Sequence, residues 1–161
     1  MGGHWSKVGP GRSPRKAETY AFTEASMGER AAIVPDPYKD IGGDEGDETQ
    51  WKNNPAIQAF MRKNDLADSH ALQAYFNRRL ETLLEKHHRR MVGWDEIYHP
   101  DLPKSILIQS WQGQDALGEV AQQGYQGILS IGFYVDQPQY TSYHYRNEIV
   151  PRGLNGVDTL S

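Results

Sequence analysis

The sequence contains no cysteine, which excludes disulfides and thiolate metal sites but does not identify a compartment, since exported proteins also lack it. It contains no apolar run near the ~20 residues that cross a bilayer, so no membrane partner is expected. Met1 to Trp5 lack the basic and then apolar layout of a signal peptide. No basic stripe is present either: the net charge is −4 with lysine and arginine scattered, and a nucleic-acid surface is not indicated. What is there is a chain of 161 residues, 37% hydrophobic and 24% charged. That is enough for one domain with a core of its own, on the polar side of the globular range.

Residues 1–15 hold glycines and prolines without periodicity and read as an irregular lead-in. From about 14 to 34 the pattern is helical, with Ala17, Tyr20, Ala21, Gly28, Ala31 and Ala32 on one face and Phe22 and Met27 off it. Small residues on the inner face would let this helix sit close to a sheet. Pro35 and Pro37 stop it. Asn54 followed by Pro55 is a helix start, with a capping residue before a proline at the first position. A longer helix begins near Asp68 or Ser69 and runs to about His88. Its buried stripe is Leu72, Tyr75, Phe76, Leu80, Leu83 and Leu84.

Residues 90–94 and 105–111 read as strands, separated by about ten residues with two prolines, close to the minimum for a parallel crossover. Residues 116–123 form a short helix ending at Gly124, and 127–133 a further strand. The order implies α/β architecture with about four parallel strands and flanking helices over residues 16–137, followed by an irregular tail at 138–161. Four strands are half of an eight-stranded (β/α) barrel, which takes ~250 residues.

Residues 39–45 are the stretch around which the chain is organised. A short strand, expected to be buried, ends in Gly42 and Gly43 and then in the adjacent acids Asp44 and Glu45. Glycines at a strand end permit a sharp turn or a close approach. In parallel sheets the loops after the strands share one rim, where ligands bind. Asp44 and Glu45, Trp94 with Asp95 and Glu96, Trp111, and Tyr134 with Asp136 all fall at such ends. Taken singly, each has a plainer reading as a solvated turn, a packing aromatic or a loop-holding acid. His87, His88 and His99 read as surface histidines, and no metal or other cofactor is expected.

These segments resemble glycoside hydrolase family 20, the β-N-acetylhexosaminidases. Residues 40–45 are similar to that family's His-x-Gly-Gly-Asp-Glu signature, and residues 92–96, Ser110 with Trp111, and residues 134–136 match later motifs in order, over roughly residues 16–150. The diguanylate-cyclase signature shares Gly-Gly-Asp-Glu but continues with an aromatic residue, whereas Gly46 follows here. The resemblance implies a partial TIM (β/α)8 barrel and hydrolysis of terminal N-acetylhexosamine from a glycan or oligosaccharide. It implies retaining, substrate-assisted chemistry through an oxazoline intermediate. Glu45 would protonate the leaving oxygen and later activate water. Asp44 would hold the acetamido N–H. Trp94 and Trp111 would wall the acetamide pocket, Tyr134 would donate to the acetamido oxygen, and Asp136 would accept from a ring hydroxyl. The resemblance suggests secretion or a periplasmic location.

The pattern also departs from the family. Asp40 stands where histidine is usual, and Lys39 puts a second charge on the same strand, which implies either incomplete burial or strain. The groups that earlier and later barrel strands contribute to the sugar site have no counterparts. A non-catalytic sugar-binding module of the same fold is therefore the alternative, and self-association over exposed sheet edges is a third expectation.

Overall fold

The computed structural model describes residues 13–44, 46 and 48–147. Its elements run α1 (Ala17–Ile33), β1 (Tyr38–Asp40), α2 (Thr49–Lys52), α3 (Pro55–Lys63), α4 (Ser69–Lys86), β2 (Arg90–Trp94), a 3-10 turn (Asp95–Ile97), β3 (Leu107–Ser110), α5 (Gln114–Gln122), β4 (Gln126–Leu129) and α6 (Thr141–Arg146). The strands form one sheet in the order β1-β2-β3-β4, with every neighbouring pair parallel. That succession is the layout of consecutive units of a (β/α) barrel.

The helix starts follow from side-chain capping. The Asn54 side chain accepts from the backbone N–H groups of Ala56 and Ile57 with Pro55 just inside α3, and Asp68 accepts from Ala71 N at 2.8 Å to open α4. Leu72, Leu80, Leu83 and Leu84 of α4 are buried, each such burial stabilising by about 1.5–3 kcal/mol. Leu80, Leu83 and Leu84 pack with Met91 of β2, Ile108 of β3, Leu117 and Val120 of α5, and Tyr20 and Met27 of α1 in one core. Leu72 joins Ile57 and Met61 in a smaller cluster under α3.

Between β2 and β3 there is no α-helix. Ile97, Leu102 and Ile106, exposed by 1%, 2% and 0%, fill the core there instead. The one proton of the Tyr125 hydroxyl is shared between Leu102 O at 2.8 Å and His99 O at 3.0 Å, which ties this connection to the start of β4. Alternation along the strands sends Arg90, Val92 and Trp94 to the sheet face opposite this core. On that face Arg90 donates to the Tyr38 hydroxyl at 2.9 Å, Ser105 O at 3.1 Å and the Gln126 Oε1 at 3.4 Å, spanning the sheet from β1 to β4.

Four sequence expectations are revised. In α1 the buried residues are Thr19, Tyr20 and Met27, while Ala17, Ala21 and Ala32 are exposed. The groove against α4 is filled by large side chains, and small size matters only at Gly28, where an added Cβ would meet His87 Cε1 at 3.0 Å. β1 is not buried: Tyr38 and Lys39 are half-buried and Asp40 is exposed, because it is the sheet's edge strand. The charges at 39 and 40 are thus accommodated by incomplete burial. Asp40 Oδ1 accepts from Gly42 N at 2.7 Å and Asp36 Oδ1 from Tyr38 N at 2.8 Å, so both carboxylates satisfy backbone donors beside the strand. The loop after Asp44, which the sequence reading left without an element, contains α2, and the tail contains α6 where irregular structure was expected. Among the described residues no helix is long and apolar enough to cross a membrane.

Candidate active site

The rim is built first by backbone geometry. Gly42 and Gly43 have φ of +70° and +98°, a region closed to ordinary side chains, and they turn the chain out of β1. Trp94 N donates to Gly42 O at 3.0 Å, and Gln73 Nε2 donates to Gly43 O at 2.8 Å. A Cβ on Gly43 would lie 2.3 Å from Ile97 Cγ2, and one on Gly93 would lie 2.7 Å from Ile97 Cδ1. Ile97 is thus the plug that seats the end of β1 against the end of β2. Both properties expected of the glycines, the turn and the close approach, are present. The bend delivers Asp44, exposed, to the carboxyl end of the sheet. Glu45 lies outside the described residues.

At the end of β2, Trp94 is half-buried and is followed by two acids that reach across to β3. Asp95 Oδ2 accepts from the backbone N–H groups of Trp111 at 2.7 Å and Gln112 at 2.9 Å. The Glu96 carboxylate accepts from the Trp111 indole Nε1 with both oxygens, at 3.2 and 3.1 Å, and from Gln112 Nε2 at 3.0 Å. Asp95 Oδ1 is buried with no hydrogen-bond partner among the described residues. The Ser110 hydroxyl, fully buried, donates to Gly113 O at 2.9 Å and shapes the turn that follows β3. Gln109 Nε2 donates to Ser130 Oγ at 2.8 Å and links the ends of β3 and β4.

Beyond β4, Tyr134 is half-buried. Its hydroxyl is held above the ordinary tyrosine value of 10, first by burial and then by the negative charges of Asp136, Asp44, Asp95 and Glu96. Tyr134 thus lies within electrostatic range of Asp44, Asp95 and Glu96 as well as of its near neighbour Asp136, and Glu96 carries Trp111. Trp94 stands at the adjacent strand end and is joined to the acid loop through its backbone. Asp136 is exposed.

A cleft of about 420 Å³ borders this cluster on the α4–α5 side, and Asp95, Glu96, Gln112, His70 and Glu119 are among the residues that line it. It contains none of Asp44, Trp94, Trp111, Tyr134 and Asp136. Among the described residues no group of three or more histidines or acids could hold a metal ion. Sequence reasoning gave Asp95 and Glu96 only a generic loop-holding role, because nothing in the linear order states that their partners are Trp111 and Gln112 across the next strand. Their placement directly after a strand-ending tryptophan was the available signal.

The model of the glycosyl hydrolase family 20 catalytic domain matches residues 4–154. A beta-hexosaminidase of Porphyromonas gingivalis is 37% identical over 127 residues, covering 77% of this chain and 16% of that protein. One from Vibrio furnissii is 36% identical over 121 residues, covering 74% of this chain and 20% of that protein. The structure of Flavobacterium johnsoniae chitobiase superposes with a TM-score of 0.86 at 34% identity, over 92% of this chain and 24% of that one. A family 20 exo beta-N-acetylglucosaminidase of Vibrio harveyi, solved with N-acetylglucosamine, gives a TM-score of 0.67 at 36% identity, over 73% of this chain and 18% of that one. The chain thus spans a quarter or less of each of these relatives. Its four parallel strands with flanking helices are part of their barrel fold, and the chain belongs to glycosyl hydrolase family 20.

Proposed function

We propose that this chain carries the acid–base and acetamide-holding side of a glycosidase that releases terminal N-acetylhexosamine from glycans with retention. The reading is supported by the electrostatic reach of Asp44 to Tyr134 across the strand ends and by the Trp111 indole anchored on Glu96, which itself acts on Tyr134. Glu45 protonates the leaving oxygen while the substrate's own acetamido carbonyl attacks the anomeric carbon, and Glu45 then takes a proton from the incoming water. Asp44 accepts from the acetamido N–H and stabilises the positive charge that develops on the oxazoline-like intermediate. Tyr134 donates to the acetamido oxygen. Its hydroxyl, held above the ordinary value of 10, is a neutral donor at pH 7. Trp94 and Trp111 offer apolar faces to the acetamido methyl and the sugar ring, and Asp136 accepts from a ring hydroxyl.

A chromogenic N-acetylglucosaminide assay on the chain and on Glu45→Gln tests the chemistry. A rate that depends on Glu45 is expected, and equal rates in the two proteins refute the acid–base role. Binding without turnover is the second reading, favoured by the exposure of Asp44 and Asp136, since exposed carboxylates position a substrate poorly. Calorimetric titration with an N-acetylglucosamine-derived thiazoline separates the two: heat of binding without Glu45-dependent turnover selects the second, and no heat removes both.

A further inference from the structure

We propose that Glu96 is a positioning residue that acts through Trp111, holding the indole plane as the wall of the sugar pocket, with Asp95 fixing the backbone from which that side chain springs. The proposal rests on the sugar-pocket reading of Trp111. A tryptophan at a strand end has two free side-chain rotations, and Trp111 is only half-buried, so packing alone does not select one orientation. The hydrogen bonds do. The indole N–H points between the two Glu96 oxygens, at 3.2 and 3.1 Å. The Gln112 amide, 3.0 Å from Glu96 Oε1, keeps the carboxylate from turning away. Asp95 Oδ2 takes both backbone N–H groups of the turn, at 2.7 and 2.9 Å, so Trp111 is held at its main chain and at its ring edge together. Bonds to an ionised acceptor are stronger than those between neutral groups.

The anchor is itself anchored. Glu96 sits in the 3-10 turn that Ile97 closes, and Ile97 is 1% exposed between Gly43 and Gly93. One rigid path therefore runs from the core through Glu96 to the indole, and the same plug sets the bend that carries Asp44.

The test separates action through the indole from general support of the fold. Thiazoline affinity is measured by calorimetry for the chain, Glu96→Ala, Glu96→Gln, Trp111→Phe and the Glu96→Ala/Trp111→Phe double variant. Glu96→Ala is expected to weaken binding about tenfold, the scale of one hydrogen bond to a charged group. Glu96→Gln keeps an acceptor and should stay within about threefold. In the Trp111→Phe background, which has no ring N–H, Glu96→Ala should change affinity less than about twofold. An equal loss in both backgrounds, or no loss in either, overturns the proposal. The Trp111 indole resonance, assigned by its disappearance in Trp111→Phe, supplies an independent reading: it should move in Glu96→Ala and return toward its place in Glu96→Gln. If the unaltered chain gives no heat, the sugar reading falls. The resonance then decides the clamp alone, as it does if Trp111→Phe abolishes binding, and an unmoved resonance overturns it.

Discussion

Gly43 is the position where one methyl group should do most damage to the rim. Its φ of +98° costs an alanine about 1–2 kcal/mol in backbone strain. The new Cβ would also lie 2.3 Å from Ile97 Cγ2, far inside van der Waals contact. Ile97 is 1% exposed and enclosed by the core, so it has nowhere to retreat. Overpacking of that kind costs about 1–3 kcal/mol more. Gly43→Ala should therefore destabilise by about 2–5 kcal/mol, a fall in melting temperature on the order of 5–15 °C for a chain of this size. Gly46→Ala, three residues along the same loop, is the control, because an added Cβ there meets nothing within 4 Å. It should shift stability by less than about 1 kcal/mol. In an Ile97→Ala background the clashing methyl is gone, and Gly43→Ala should cost only its backbone share of about 1–2 kcal/mol. Thermal melts of these variants decide the matter. Equal melting of Gly43→Ala and Gly46→Ala, or an undiminished cost in the Ile97→Ala background, refutes the plug.

Three further outcomes follow from the same coordinates. The Tyr20 hydroxyl is pushed up to about 12, chiefly by burial and against the pull of Arg79. The folded chain thus keeps a proton that the unfolded chain loses above pH 10, stability falls from there toward pH 12, and urea midpoints for Tyr20→Phe should show a shallower alkaline fall. Glu81, 7% exposed, is raised above the ordinary glutamate value by burial and then by Glu85, with the Ser105 hydroxyl bond at 3.2 Å pulling the other way. Its charge opposes folding at neutral pH, so Glu81→Gln should melt higher than the unaltered chain at pH 7, with the gain shrinking as pH falls through the raised value and gone below pH 4.5. Arg90→Met retains an apolar stem but loses the bonds to Tyr38, Ser105 and Gln126, and its urea midpoint should fall by the equivalent of about 1–2 kcal/mol.

What could be read from the sequence was what local physics dictates. The caps at Asn54 and Asp68 and the leucine stripe of α4 follow from hydrogen-bonding chemistry and a 3.6-residue period, and the structure has them. So does the helix-free connection before β3, which two prolines and a short span already implied. The inner face of α1 was misread because periodicity states which residues share a face but not whether the groove beneath wants methyl groups or large side chains. Tyr20 and Met27 answer that only once α4 is in place. Residues 39 and 40 conveyed a conflict between charge and burial, and its resolution, an edge strand, depends on neighbours that no local window contains. The order of the rim residues was visible along the chain; the bond from Trp111 to Glu96 was not, since it joins two strand ends through space.

The helix-free connection between β2 and β3 has a dynamic consequence. Three of its side chains are core members, so it cannot detach without exposing the centre of the molecule. The amides of its buried residues Leu102 and Ile106, bonded to His99 O and Pro103 O, should exchange with solvent far more slowly than those of the exposed Asp101 and Lys104. Opening at this end of the sheet is therefore tied to loss of the core itself.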